Sequence, residues 1–238
     1  MTSATDANKR RAAIRAVELV EDGMAVGLGT GSTARFVLEE LARLRRAGQL
    51  AHIVGVPTSR QTEALAAELS IPLTTLDTRP SLDIAIDGAD EVGPGLDLIK
   101  GLGGALLWEK IVAAAAARLI IAIDSSKLVE RLGTRAPLPV EVVVFGARTH
   151  EAAVERLGGR ATLRRGPDGQ AFVTDSGNHI LDCNFAGGLG DPMAVHDTLK
   201  SRAGVVETGL FLGMTDTVVV GREDGAEVLE RVTHGVGA

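Results

Sequence analysis

The stretch MAVGLGTGST, Met24 to Thr33, decides the fold. Apolar residues run as far as Leu28, glycines stand at 27, 29 and 31, and the hydroxyls of Ser32 and Thr33 open an amphipathic segment. That segment, Thr33 to Arg46, carries Phe36, Val37, Leu41 and Leu44 towards one side and predicts a helix. A strand that enters a helix through a glycine turn is the repeating unit of an α/β sheet. Working outward, the unit recurs. Lys9 to Val20 predicts a preceding helix, and HIVGV (His52 to Val56) predicts a strand before a helix from Ser59 to Leu69. LDIAID (Leu82 to Asp87) and DLIKG (Asp97 to Gly101) predict strands before an Ala-rich helix, Ala105 to Ala117, and LIIAID (Leu119 to Asp124) predicts another. Near-continuous apolar strands separated by helices imply an open, mainly parallel sheet covered on both faces.

After Leu132 the pattern changes. GTRAPLP interrupts the chain, VEVVVF predicts a strand, His150 to Leu157 a helix, and Arg160 to Cys183 short strands broken by GPDG and DSGN. The order strand, helix, strands, helix, strand predicts a small ferredoxin-like α+β unit. It is inserted before TGLFLG (Thr208 to Gly213) and DTVVVG (Asp216 to Gly221), which are expected to rejoin the main sheet. The expected division is a main domain of residues 1–132 and 209–238 and a small domain of residues 133–208.

Composition excludes several classes. The net charge is −6 and no block of Lys or Arg opposes it, which argues against nucleic acid. The most apolar run, Ile111 to Ile123, is too short to span a bilayer and contains Arg118, and MTSATDANKRR has no signal-peptide core. Cys183 is the only cysteine, which fits a reducing cytoplasm and excludes an internal disulfide or a Cys-based zinc site.

Chemistry gathers where strands end. In GLGTGST, Gly27 to Thr33, backbone N–H groups and hydroxyls at a helix start suit a phosphate. A dinucleotide pattern would need glycine at position 32, and a nucleotide P-loop would need Lys before Ser32 or Thr33. DGADE, Asp87 to Glu91, puts three carboxylates in five residues, open to proton transfer, magnesium binding or a polar turn. The histidines, His52, His150, His179, His196 and His234, are scattered with no metal-binding spacing. In IKGLGGALLWEKI, Ile99 to Ile111, Lys100 precedes a flexible turn and Glu109 lies in the following helix, pairing a cation for an oxyanion with a group that can move a proton. Lys127 follows the strand LIIAID.

Taken together, GLGTGSTA, DGADE, IKGLGGALLWEKI, AIDSSK and LPVEVV, in this order, closely resemble the type A ribose-5-phosphate isomerases over nearly the whole chain. The resemblance implies a Rossmann-like main domain and an enzyme of the pentose phosphate pathway. It would interconvert ribose 5-phosphate and ribulose 5-phosphate through an enediolate, without metal or organic cofactor, as a cytoplasmic homodimer or homotetramer. It further implies Glu109 as the base, Lys100 as the stabiliser of the oxyanion, and Asp87 and Asp90 as acids that contact sugar hydroxyls. Thr30, Gly31, Ser32 and Thr33 would bind substrate and its phosphate, with Lys127 and Lys9 as nearby cations. Gly88, Ala89, Gly101, Leu102 and Gly103 would line the same turns. Two positions depart from the family pattern: Leu102 replaces a Gly or polar residue, and Trp108 replaces a basic one.

An aldose isomerisation needs a base for a carbon acid, a cation for the enediolate and partners for the hydroxyl protons. Gathered carboxylates also raise one another's pKa, so the resemblance favours proton chemistry over a metal cage in DGADE. Sugar-phosphate deaminases, lactonases and CoA transferases use related sheets, and a sugar-phosphate sensor could share the phosphate loop. DGADE together with KGLGG…WEK separates this chain from both groups.

Overall fold

Val26, Leu28, Ile84, Ile86, Ile120, Ala122 and Val219 pack on one face of a central sheet, and Ala25, Ala85, Ile121, Ile123, Val218 and Val220 on the other. Side chains alternate along a strand, so two apolar sets require cover on both faces. The computed structural model describes residues 3–231. Its main-sheet portion begins with α1 (Ala4–Val17), β1 (Ala25–Leu28), α2 (Ser32–Arg46), β2 (Val54–Pro57), α3 (Arg60–Glu68) and β3 (Ile84–Asp87). There follow β4 (Glu91–Val92), β5 (Leu98–Ile99), α4 (Leu106–Ala115) and β6 (Leu119–Asp124). The inserted unit contains β7 (Leu138–Val142), α5 (Glu151–Arg156), β8 (Gly159–Leu163), β9 (His179–Phe185), α6 (Pro192–Lys200) and β10 (Val205–Thr208). The chain closes with β11 (Leu210–Phe211), β12 (Thr217–Arg222) and β13 (Gly225–Glu230).

The main sheet has the order β13-β12-β6-β3-β1-β2, parallel except for the antiparallel β12–β13 edge. Residues of α1, α2 and α3 bury the first face, and Val112 and Ala113 of α4 cover part of the second. Four antiparallel strands in the order β10-β7-β9-β8 form the second sheet, the ferredoxin-like arrangement expected from the strand–helix pattern. Val154 of α5 and Val195 and Leu199 of α6 close its core. No described helix is long and apolar enough to cross a membrane.

Two strands differ from expectation. The segments around DLIKG and TGLFLG do not enter the main sheet: β5 and β11 pair with each other, and β5 with β4, in a separate three-stranded antiparallel sheet. The cause is local. A turn at Pro94–Leu96, with Gly95 in the left-handed region (φ 74°), folds β5 back on β4, while β12 takes the place beside β6. Val92, Leu98 and Phe211 of this small sheet complete the second face. Lesser shifts are that α1 ends at Val17, three residues before Val20, and that β7 stops at Val142, leaving Phe145 exposed. His234 lies outside the described residues.

Candidate active site

The chain leaves β1 through α2 to reach β2 on one side, and β3 with the later main-sheet strands β6, β12 and β13 extends the sheet on the other. The reversal between β1 and β3 is a topological switch point, where a crevice opens at the carboxyl ends of the strands. Gly29 to Thr33 and Gly88 to Asp90 therefore face each other by construction. They approach closely because Gly29 has no side chain: a Cβ there would lie 2.2 Å from Asp87 Oδ1.

The β5–α4 segment supplies the charged pair. Lys100 Nζ donates to Gly88 O (2.6 Å) and lies 3.0 Å from Asp87 Oδ2 and 3.4 Å from Glu109 Oε2. All three side chains are buried, and Glu109 Oε2 has no hydrogen-bond partner. Burial is the largest influence on both ends of the pair. It pushes Glu109 up to about 8; Lys100 opposes the rise, while Asp87 and Asp90 add to it. Burial also acts against the Lys100 ammonium, yet the attraction of Asp87 and then Glu109 outweighs it and holds the amine above its ordinary range. The arrangement therefore couples a persistent buried cation to a carboxylate of raised basicity.

A cleft of about 120 Å³ lies over this pair. It is lined by Lys9, Thr30, Gly31, Ser32, Thr33, Gly88, Ala89, Asp90, Lys100, Gly101, Gly103, Glu109 and Lys127. At one side α2 begins at Ser32, and the first N–H groups of a helix have no intrahelical partner. Lys9 Nζ donates to Ser32 Oγ (3.0 Å), which joins α1 to that helix start. Lys127 ends a 3-10 turn after β6, capped by the Asp124 carboxylate through Ser126 N–H. The start of α2, with Lys9 and Lys127, thus lines the same cleft as Lys100 and the carboxylates of Asp90 and Glu109.

Three expected site residues are placed differently from the rest. Asp87 sits behind the cleft wall, its Oδ1 accepting the N–H groups of Thr30 (3.0 Å) and Gly88 (2.7 Å). Thr30 borders the cleft, but its hydroxyl is engaged by those of Thr58 (2.7 Å), Ser59 (2.8 Å) and Thr62 (3.0 Å). Leu102 is exposed at the rim, and its N–H donates to Asp90 Oδ2 (2.9 Å). Glu91, the third carboxylate of DGADE, takes no part in the cleft. It is fully buried and accepts the N–H groups of Gly133, Arg135 and Ala136 at 2.5–2.7 Å, fastening the chain where it departs for the inserted unit.

Sequence reasoning missed several supporting residues. Thr58, Ser59 and Thr62 carry no pattern beyond a helix cap, which Ser59 indeed forms on Thr62 N–H. Arg164 of the inserted unit donates to the carbonyls of Gly101 (2.9 Å) and Leu102 (3.0 Å), holding the glycine turn. Trp108 reaches the same unit, its Nε1 donating to Ser176 Oγ (2.9 Å). Among the described residues no group of three or more His, Cys, Asp or Glu side chains is arranged to hold a metal ion.

Residues 54–225 match the family described as Ribose 5-phosphate isomerase A (phosphoriboisomerase A). The chain is 57% identical over 222 residues to the ribose-5-phosphate isomerase A of Roseiflexus castenholzii, covering 93% of this chain and 94% of that one. A solved D-ribose-5-phosphate isomerase in complex with phospho-erythronic acid matches with a TM-score of 0.93 and 39% identity, over 96% of this chain and 100% of that one. The ribose 5-phosphate isomerase of Plasmodium falciparum matches with a TM-score of 0.91 and 38% identity, over 94% and 98%. Fold, site and relatives together define an α/β enzyme of the isomerase class. The chain belongs to the ribose 5-phosphate isomerase A family.

Proposed function

We propose that this enzyme interconverts D-ribose 5-phosphate and D-ribulose 5-phosphate through an enediolate, with Glu109 carrying the proton between C2 and C1. The observation that carries the reading is Glu109 Oε2: buried, without a hydrogen-bond partner, on the wall of the cleft and 3.4 Å from Lys100 Nζ. An unpaired buried carboxylate oxygen is costly unless a ligand or a reaction uses it.

In the open-chain aldose, Glu109 takes the proton from C2, and the electrons of that C–H bond form the C1–C2 double bond as charge moves onto O1. Lys100, a buried cation, offsets that charge in a site of low dielectric. O1 gains a proton, O2 loses one, and Glu109 returns its proton to C1, which completes the ketose. Asp90, on the cleft wall, is placed to exchange hydroxyl protons. Asp87 acts through Lys100, whose ammonium it holds. The phosphate lies against the start of α2 with Ser32 and Thr33, and Lys9 and Lys127 supply countercharge. The phospho-erythronic acid bound by the solved relative combines a phosphate and a carboxylate in one small molecule, which suits a cleft that offers the start of α2 to one group and Lys100 to the other.

The test is direct. Purified protein should form ribulose 5-phosphate from ribose 5-phosphate after exhaustive chelation, and in deuterated water the ketose should acquire deuterium at C1. Activity lost in EDTA and restored by a divalent ion would overturn the metal-free reading, and activity with no solvent exchange would argue for direct hydride transfer.

A further inference from the structure

Lys110 follows Glu109 on α4 and projects away from the cleft into a part-buried polar pocket. Its Nζ makes three short contacts: Glu207 Oε1 (2.9 Å), Thr208 O (2.7 Å) and Leu210 O (2.7 Å). It also lies 4.8 Å from the centre of the Phe211 ring. This spends every donor of an ammonium on the β10–β11 junction. Burial draws the Lys110 amine below its ordinary range and Glu207 opposes that shift, so the contact with Glu207 is integral to the site.

The same junction positions Lys100. Lys100 N–H donates to Gly209 O (2.9 Å), and its ammonium is 5.5 Å from the Phe211 ring. Gly209 allows this approach, since a Cβ there would fall 2.2 Å from Lys100 O. Both halves of the Lys100–Glu109 pair are therefore referenced to one short piece of backbone, Thr208 to Phe211. Lys100 is tied to it directly, and Glu109 through its neighbour on the helix.

We propose that Lys110 is a positioning residue for the isomerase reaction, a strut that fixes the depth of Glu109 and its distance from Lys100. This rests on Glu109 being the base. A 3.4 Å separation keeps the carboxylate near the cation without closing a hydrogen bond that would occupy its basic oxygen. A loosened α4 would let the carboxylate close on Lys100 or admit water. The charged groups around Glu109 are Lys100, Asp87 and Asp90; around Lys110 they are Glu207 and Lys200, with His196 beside Thr208.

Lys110→Met keeps the stem and removes the charge and donors. Its kcat should fall by about tenfold or more, because a misplacement near 1 Å can cost about a hundredfold. KM for ribose 5-phosphate should change by less than about twofold, since no phosphate contact is lost. The midpoint of kcat/KM against pH should move down from about 8 as Glu109 gains water. Lys110→Arg should restore part of both effects, and Glu207→Gln, which leaves the two carbonyl partners, should give a smaller shift in the same direction. An unshifted midpoint in folded Lys110→Met overturns the proposal whatever happens to kcat. If that variant does not fold, unshifted midpoints in both Lys110→Arg and Glu207→Gln overturn it. Glu109→Gln separates the two claims: high turnover there removes Glu109 as the base, whereas an inactive Glu109→Gln beside a wild-type Lys110→Met profile removes only the strut.

Discussion

Glu109 should make the enzyme depend on pH in a range where an ordinary glutamate would be silent. Its carboxyl is held at about 8, chiefly by burial. The base works only when ionised, so activity is lost as pH falls through that value and is complete above it. With a midpoint of about 8, the ionised fraction is about 1% at pH 6, 9% at pH 7, 50% at pH 8 and 91% at pH 9. From pH 7 to 8, kcat/KM should rise about fivefold, and from pH 8 to 9 less than about twofold. The substrate phosphate loses its second proton near pH 6, so the window from pH 7 to 9 isolates the enzyme. Lys100, held above its ordinary range, stays charged throughout. The assay is initial rates of ketose formation at low substrate concentration in buffers of constant ionic strength. Glu109→Gln keeps the size of the side chain and removes the base, and kcat should fall at least about a hundredfold. A flat profile between pH 7 and 9, or near-normal kcat in folded Glu109→Gln, would refute the reasoning.

Two further outcomes follow from other parts of the molecule. Ribose without phosphate should be a very poor substrate, because the start of α2 with Lys9 and Lys127 would hold the missing group; comparable kcat/KM for ribose and ribose 5-phosphate would remove the anion site. Glu91→Ala strips one buried and two part-buried N–H groups of their acceptor and should lower unfolding stability by about 2 kcal/mol or more in denaturant titration, whereas a loss within experimental error would show that water replaces the carboxylate at no cost.

The central sheet was legible because its strands are buried on both faces and so read as unbroken apolar runs. LIIAID needs no context to be seen, and β6 spans the same residues, Leu119–Asp124. The two-residue strands β4, β5 and β11 are too short for any period, so their separate sheet could not be distinguished from the main one. β13, an edge strand with several exposed residues, follows the last strand expected at Gly221 and carries no apolar run. At the site, glycine turns and charges at strand ends marked the cleft. DGADE could not reveal that its acids divide among three tasks, because a turn decides which way each points: Asp87 behind the wall, Asp90 on it, Glu91 into the junction. Nothing in the sequence marked Lys110, since its contacts lie 97 to 100 residues further along the chain.

The two places where the chain crosses to the inserted unit have a consequence for how this protein can change over time. At the outgoing crossing Glu91, next to the acids of the site, grips residues 133–136. At the return Gly209 donates to Pro139 O (2.7 Å) and accepts from Lys100 N–H. Neither crossing is a hinge of spare sequence where one module could be exchanged for another. A recombination breakpoint at either place would part a carboxylate from its N–H groups or a lysine from its backbone support. The sheet and its insert therefore depend on each other at both seams, and substitutions in the insert should be tolerated best on the side away from them.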